Sequence, residues 1–147
     1  MIKRKYGKNK EMLSIVGLGG ISVKGEGQNK ANELVSKAYE KGVNYFDVAP
    51  GYGDAQELFG KALISFRKNI FLACKTAKRN QKESLEDLEN SLHILKTDYF
   101  DLYQLHGMKT KEDFEKVISP GGAMETLIKA KKRVKLKIWD FLAILLK

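Results

Sequence analysis

Ile70-Phe71-Leu72-Ala73-Cys74, followed at once by Lys75-Thr76, is the stretch on which the fold turns. An apolar run of this length, without alternation, reads as a strand covered on both faces. The same pattern recurs on either side of it. Upstream, Val43 to Val48 reads as a second buried strand, and Leu13-Ser14-Ile15-Val16-Gly17-Leu18 as an earlier one, closed by Gly19-Gly20. Downstream, Tyr99 to Leu105 reads as a fourth, ending at His106. Helical segments fill the gaps. Ala31, Leu34, Val35, Ala38 and Tyr39 share one face and stop at Gly42. A short helix is expected over Ala55 to Leu63. Leu85, Leu88, Leu92 and Leu95 form an amphipathic stripe, and a last helix spans Ala123 to Lys132. The strand ends Gly17, Asp47, Lys75 and His106 are separated by 30, 28 and 31 residues. Strands and helices alternating at this interval predict an α/β fold with a parallel sheet and right-handed crossovers. Two architectures satisfy the pattern: a doubly wound open sheet, or part of an eight-unit barrel. Residues 3–12, charged and holding Gly7, predict a small hairpin ahead of the first unit.

Composition sets the bounds. The chain has 147 residues, 43% hydrophobic and 31% charged, which suits one globular domain. The longest apolar candidate for a membrane span, Phe141 to Leu146, is far short of the roughly 18 residues needed. The first residues lack the apolar stretch of a secretory signal. No membrane association is expected, and a cytoplasmic location is. The single cysteine, Cys74, excludes an internal disulfide and a cysteine-built zinc site, and it reads as a small buried hydrophobe. No metal site is expected. The net charge of +9 invites an anionic partner, but residues 131–147 alone carry +5 of it. The remainder is spread as on an ordinary solvated surface, so nucleic acid is not an expected partner.

In α/β folds the chemistry collects at the carboxyl ends of the strands and in the loops after them. There this chain offers Asp47, Tyr52, Lys75 and His106. Each has an ordinary explanation: a turn cap, a surface tyrosine, a lysine reaching solvent, a core histidine. His93, off the leucine stripe, is expected to be merely exposed. The joint occurrence of a carboxylate, a phenol, an ammonium and an imidazole in successive units is what points to a catalytic rim.

These residues lie in motifs. Asp47-Val48-Ala49-Pro50-Gly51-Tyr52-Gly53, with Glu57 and Gly60 after it, resembles the D-x-A-x-x-Y-G…E-x-x-G signature of aldo-keto reductases. Phe71-Leu72-Ala73-Cys74-Lys75-Thr76 is similar to that family's third-strand lysine segment. Ser91-Leu92 through Leu95, then Thr97-Asp98-Tyr99-Phe100-Asp101-Leu102-Tyr103-Gln104-Leu105-His106, is similar to its S-L-x-x-L-x-x-D-Y-x-D-L-Y-x-x-H segment. The resemblance implies a (β/α)8 barrel and reversible reduction of a small carbonyl substrate by NADPH or, less often, NADH. It implies that Tyr52 protonates the carbonyl oxygen, that Lys75 stabilises the phenolate, and that Asp47 holds Lys75. It further implies that His106 polarises the carbonyl and that Gly19 and Gly20, with Asp47, lie near the nicotinamide. Glu57 and Gly60 are implied to be structural. The proton donor answers a chemical need, because hydride arriving at carbon leaves an alkoxide. A free phenol, with a pKa of about 10, donates poorly near neutrality unless a nearby cation stabilises its anion.

The pattern then breaks off. An eight-unit barrel typically takes about 250 residues, and this chain supplies four units. The expected fold is therefore a truncated TIM barrel, a half-barrel over residues 1–132, followed by a basic and apolar tail over 133–147 outside the family pattern. Read from the third base of its codons, the tail spells a plausible fifth strand, with a glycine that Trp139-Asp140 forces; a reading-frame shift near Lys132 is the expectation. The family's pyrophosphate and adenosine-phosphate contacts come mainly from strands five to eight. Cofactor binding and turnover are thus expected to be weak or absent. Two other readings stay open. One is a non-catalytic half-barrel or pseudoenzyme that self-associates through open sheet edges. The other is a basic module that uses its tail on an anionic partner.

Overall fold

The computed structural model describes residues 1–7, 10–133 and 135–143. Lys3–Lys5 (β1) and Met12–Ser14 (β2) pair antiparallel, with Arg4 opposite Leu13. The expected hairpin forms, but it takes Leu13 and Ser14 out of the first predicted strand. That strand shrinks to Leu18–Gly19 (β3), and Ile15 and Val16 between them are 52% and 53% exposed. The cause is a polar lock. Ser14 N donates to Asn44 Oδ1 at 2.7 Å, and Asn44 Nδ2 donates to Met12 O at 2.8 Å. These bonds hold the chain against the start of the next unit and turn it there.

Among the described residues the main sheet is five-stranded and wholly parallel, in the order β3, Tyr45–Asp47 (β4), Phe71–Thr76 (β5), Phe100–Met108 (β6) and Leu136–Ala143 (β7). Between the strands run Gln28–Glu40 (α1), Ala55–Ala62 (α2), Gln81–Ile94 (α3), and the pair Lys111–Ile118 (α4) and Ala123–Lys132 (α5). Sheet order follows chain order with no reversal. That excludes the doubly wound alternative, which needs a switch point. Period two along the strands divides the side chains. Phe46, Leu72, Cys74, Tyr103 and Leu105 join helix residues such as Val35, Phe59, Leu88 and Leu127 in one large core. Phe71, Ala73 and Leu102 face the other way and pack with Leu13, Tyr6, Tyr45 and Ile138 beneath the hairpin. Helices on one face and a concave strand face on the other make this an arc of a (β/α)8 barrel.

Three further elements differ from the sequence reading. The stripe on α3 is one residue short: Leu88, Leu92 and Leu95 are buried, but Leu85 is 39% exposed, at the edge of the groove between α3 and α5. Helix α4 was not expected. Its signal is Thr110, whose hydroxyl accepts from Asp113 N at 3.1 Å, an N-cap just before an apolar-periodic segment. The third difference is β7. Residues 136–143, read as a tail outside the pattern, form a fifth strand parallel to β6. The open edge of β6 would otherwise expose a row of backbone groups, and Leu136 packs fully into the core. Ile144 to Leu146, in the apolar tail, lie outside the described residues. Among the described residues no helix is long and apolar enough to cross a membrane.

Gly60 is structural for a steric reason. A Cβ there would stand 2.2 Å from Ile94 O and 3.0 Å from Leu95 Cα, where α2 crosses the end of α3. Gly60→Ala is expected to destabilise the fold by about 1–3 kcal/mol, read by denaturant unfolding.

Candidate active site

Parallel pairing aligns the ends of the strands. Asp47 lies opposite Ala73, and Lys75 opposite Gln104. Because Cys74 and Thr76 turn outward, Lys75 points to the concave face. Its side chain is 3% exposed, so its ammonium needs a counter-charge. Asp47 Oδ1 supplies it, accepting a hydrogen bond from Lys75 Nζ. The Asp47 side chain remains 24% exposed and opens the pair to the rim.

Tyr52 stands in the loop after β4. Its N–H donates to Ala49 O at 3.1 Å and its carbonyl accepts from Ala55 N at 3.3 Å, so the loop is a tight turn into α2. The ring centroid is 5.5 Å from Lys75 Nζ. It is 6.1 Å from the His106 ring centroid, with the planes at 87°. Asp47, Tyr52, Lys75 and His106 therefore meet at one rim, supplied by three successive units.

Electrostatics keep the imidazole neutral. Burial pushes the His106 pKa below its ordinary 6.5, the Lys75 cation adds to this, Asp47 opposes it, and Arg79 and Lys109 lower it further. A neutral ring carries one N–H to donate and no charge to repel Lys75. The sign for stability follows. As pH falls through 6.5 the unfolded chain takes up its proton first, so stability drops until the folded ring is also protonated. The His106 ring protons are expected to titrate below the ordinary histidine midpoint in an NMR pH series.

A cavity of about 720 Å³ opens along the concave face beside this rim, bordered by Gly17, Gly19, Tyr45, Asp47, Lys75 and Gln104. The two glycines singled out from sequence part company here. At Gly19 a Cβ would meet nothing nearer than Ile21 Cγ2 at 3.9 Å, so that backbone is open. Gly20 is buried against Val48, whose Cγ2 would lie 2.8 Å from an added Cβ, so it belongs to the core. Cys74 also turns away from the cavity, and burial raises its thiol to about 12. Gln104 was missed. Its signal was its position two residues before His106 on the same strand face.

A model of the aldo/keto reductase family matches residues 15–143. The uncharacterized oxidoreductase YqkF of Bacillus subtilis is 38% identical over 132 residues, covering 80% of this chain and 43% of that protein. The holo form of aldo-keto reductase AKR11C1 from Bacillus halodurans superposes with a TM-score of 0.82 at 28% identity, covering 98% of this chain and 51% of that one. An aldo-keto reductase from Klebsiella pneumoniae in complex with NADPH gives a TM-score of 0.71 at 25% identity, covering 88% and 45%. The chain thus spans about half the length of the proteins it matches.

Proposed function

Since the chain belongs to the aldo-keto reductase family, we propose that its rim reduces small aldehydes and ketones to alcohols, with Tyr52 as proton donor and NADPH or NADH as hydride source. The observation that carries this is the buried Lys75–Asp47 pair set against the Tyr52 ring and the His106 ring at one mouth.

The residues fit the reacting end of a nicotinamide. Gly17 and Gly19 leave the cavity wall without side chains, and the Asp47–Lys75 pair borders the same space. The bound cofactor would supply hydride to the carbonyl carbon. The chain's own residues handle the oxygen. His106, neutral, donates an N–H to the carbonyl oxygen and polarises it. Tyr52 transfers its hydroxyl proton to that oxygen as negative charge develops there. Lys75, cationic beside the phenol, stabilises the phenolate that remains. Asp47 holds Lys75 charged and oriented; without it the buried ammonium would stand unpaired.

Slow turnover is part of the reading, because the chain spans 43% of YqkF and affinity for the nucleotide draws on more of the barrel. The test is a titration of NADPH into the purified chain, followed by nicotinamide fluorescence and then by loss of nicotinamide absorbance on adding an aromatic aldehyde. Saturable binding and aldehyde-dependent oxidation are expected. Saturable binding with no aldehyde-dependent oxidation would overturn the reading.

A second reading rests on the edges of the sheet. Among the described residues β3 and β7 each pair with a strand on one side only, and the cavity lies open beside β3. Such edges favour self-association. Light scattering on the purified chain is expected to show species larger than a monomer.

A further inference from the structure

Strand β6 carries a bulge near its carboxyl end. The β6–β7 register shifts between His106 and Met108, and Gly107 between them has a φ of 64°. A bulge swings its side chains off the line of the ladder. The backbone at His106–Gly107 therefore sets where the imidazole stands.

One side chain grips that backbone. Arg79, in the loop between β5 and α3, reaches across with Nη2, which donates to His106 O at 2.9 Å and to Gly107 O at 3.0 Å. Its Nε donates to Asp113 Oδ1 at 3.0 Å, in the first turn of α4. Asp113 is itself pinned, since its Oδ2 accepts from Lys109 N at 3.2 Å. The main chain closes the arrangement: Arg79 O accepts from Ala123 N at 2.9 Å, at the start of α5. The Arg79 side chain is 14% exposed, and its Nη1 is buried with no hydrogen-bond partner among the described residues. The guanidinium is thus placed by the bulge carbonyls and Asp113 rather than by satisfying all its donors. A planar fork suits this role, and an ammonium does not.

We propose that Arg79 is a positioning residue: it clamps the two carbonyls of the His106–Gly107 bulge and so aims the imidazole at Tyr52. The inference rests on the reading that His106 acts at the rim. The groups that face His106 are Tyr52 from the loop after β4, Asp47 and Lys75 from the strand ends, Lys109 beyond the bulge, and Arg79 itself. Arg79 therefore contributes both geometry and charge, and two substitutions separate them. R79K keeps the charge but loses the fork. R79M loses both.

The test is the ring-proton NMR spectrum of the full chain, which holds only two histidines, so His93 on α3 is an internal reference. In R79K the His106 ring protons are expected to move, because their place in the ring current of Tyr52 changes, while those of His93 stay. In R79M the same displacement is expected together with a rise in the His106 midpoint. If R79M does not fold, D113N replaces it, since it keeps an acceptor but removes the charge that anchors the fork. Unmoved His106 ring protons in R79K, or in D113N where it is used, would overturn the proposal. The readout is the ring itself, so a chain that binds NADPH but reduces nothing counts against the proposed activity and not against this clamp.

Discussion

Tyr52→Phe is expected to slow carbonyl reduction by about 10²- to 10⁴-fold while leaving the fold and the nucleotide affinity unchanged. The substitution removes one oxygen and nothing else. The ring keeps its edge contact with His106 and its place near Lys75 Nζ. The turn that carries it is made by backbone bonds to Ala49 and Ala55, which the hydroxyl does not touch. On the proposed mechanism, what is lost is the proton that the developing alkoxide must receive. His106 does not replace it. Its pKa lies below the ordinary value, so near neutrality the ring is a neutral hydrogen-bond donor rather than an acid. Lys75 does not replace it either, because the ammonium is committed to Asp47 inside the wall. The effect should therefore fall on kcat, with KM for the aldehyde nearly preserved, and steady-state kinetics separates the two.

Asp101→Ala is expected to cost about 3–5 kcal/mol of stability, the range for removing one member of a buried ion pair. Its side chain is 3% exposed and lies at the opposite end of the sheet from the rim. Asp101 Oδ2 accepts from Arg67 Nη1 at 2.9 Å and from Leu72 N at 2.9 Å, and Oδ1 pairs with Lys137 Nζ at 2.7 Å. Arg67 also donates through Nη2 to Tyr99 O at 2.7 Å and through Nε to Thr97 Oγ1 at 2.8 Å. Its guanidinium carbon sits 4.0 Å above the Tyr99 ring. Alanine at 101 would leave Arg67, 11% exposed, without its carboxylate and Leu72 N–H without an acceptor. The carboxylate joins β5, β6 and β7, so its loss should lower the midpoint of urea unfolding and loosen β7 first, as read by hydrogen exchange. It touches no rim residue, so whatever turnover the folded fraction shows should be unaltered.

The rim was legible because strand phase is legible. Asp47, Lys75 and His106 close three apolar runs at nearly equal intervals, and a parallel sheet with regular crossovers brings such positions to one end. Tyr52 was readable through its motif rather than through periodicity. What escaped depends on partners distant in the chain. The split of Leu13–Leu18 comes from Ser14 meeting Asn44, thirty residues on, and nothing local in either residue announces the pairing. Asp101 stood inside a recognised motif, yet its role needs Arg67 and Lys137 brought to it from two other units. Helix α4 was within reach, since Thr110 and Asp113 form a local cap. Its apolar stripe, Phe114, Val117 and Ile118, is only about one turn long, and of the three only Val117 is buried. Segment 136–143 was judged by its departure from a motif. Its neighbour β6 offers an open ladder, and an apolar, β-prone segment beside such an edge pairs with it.

The most direct trial is label transfer. NADPH carrying deuterium at the nicotinamide C4 is mixed with an aromatic aldehyde and either the unaltered chain or Tyr52→Phe, and the alcohol is examined by mass spectrometry. Deuterium on the carbinol carbon with the unaltered chain, formed at least ~100-fold more slowly by Tyr52→Phe, is the predicted result. Label arriving at the same rate with both proteins would contradict the assignment of proton transfer to this rim.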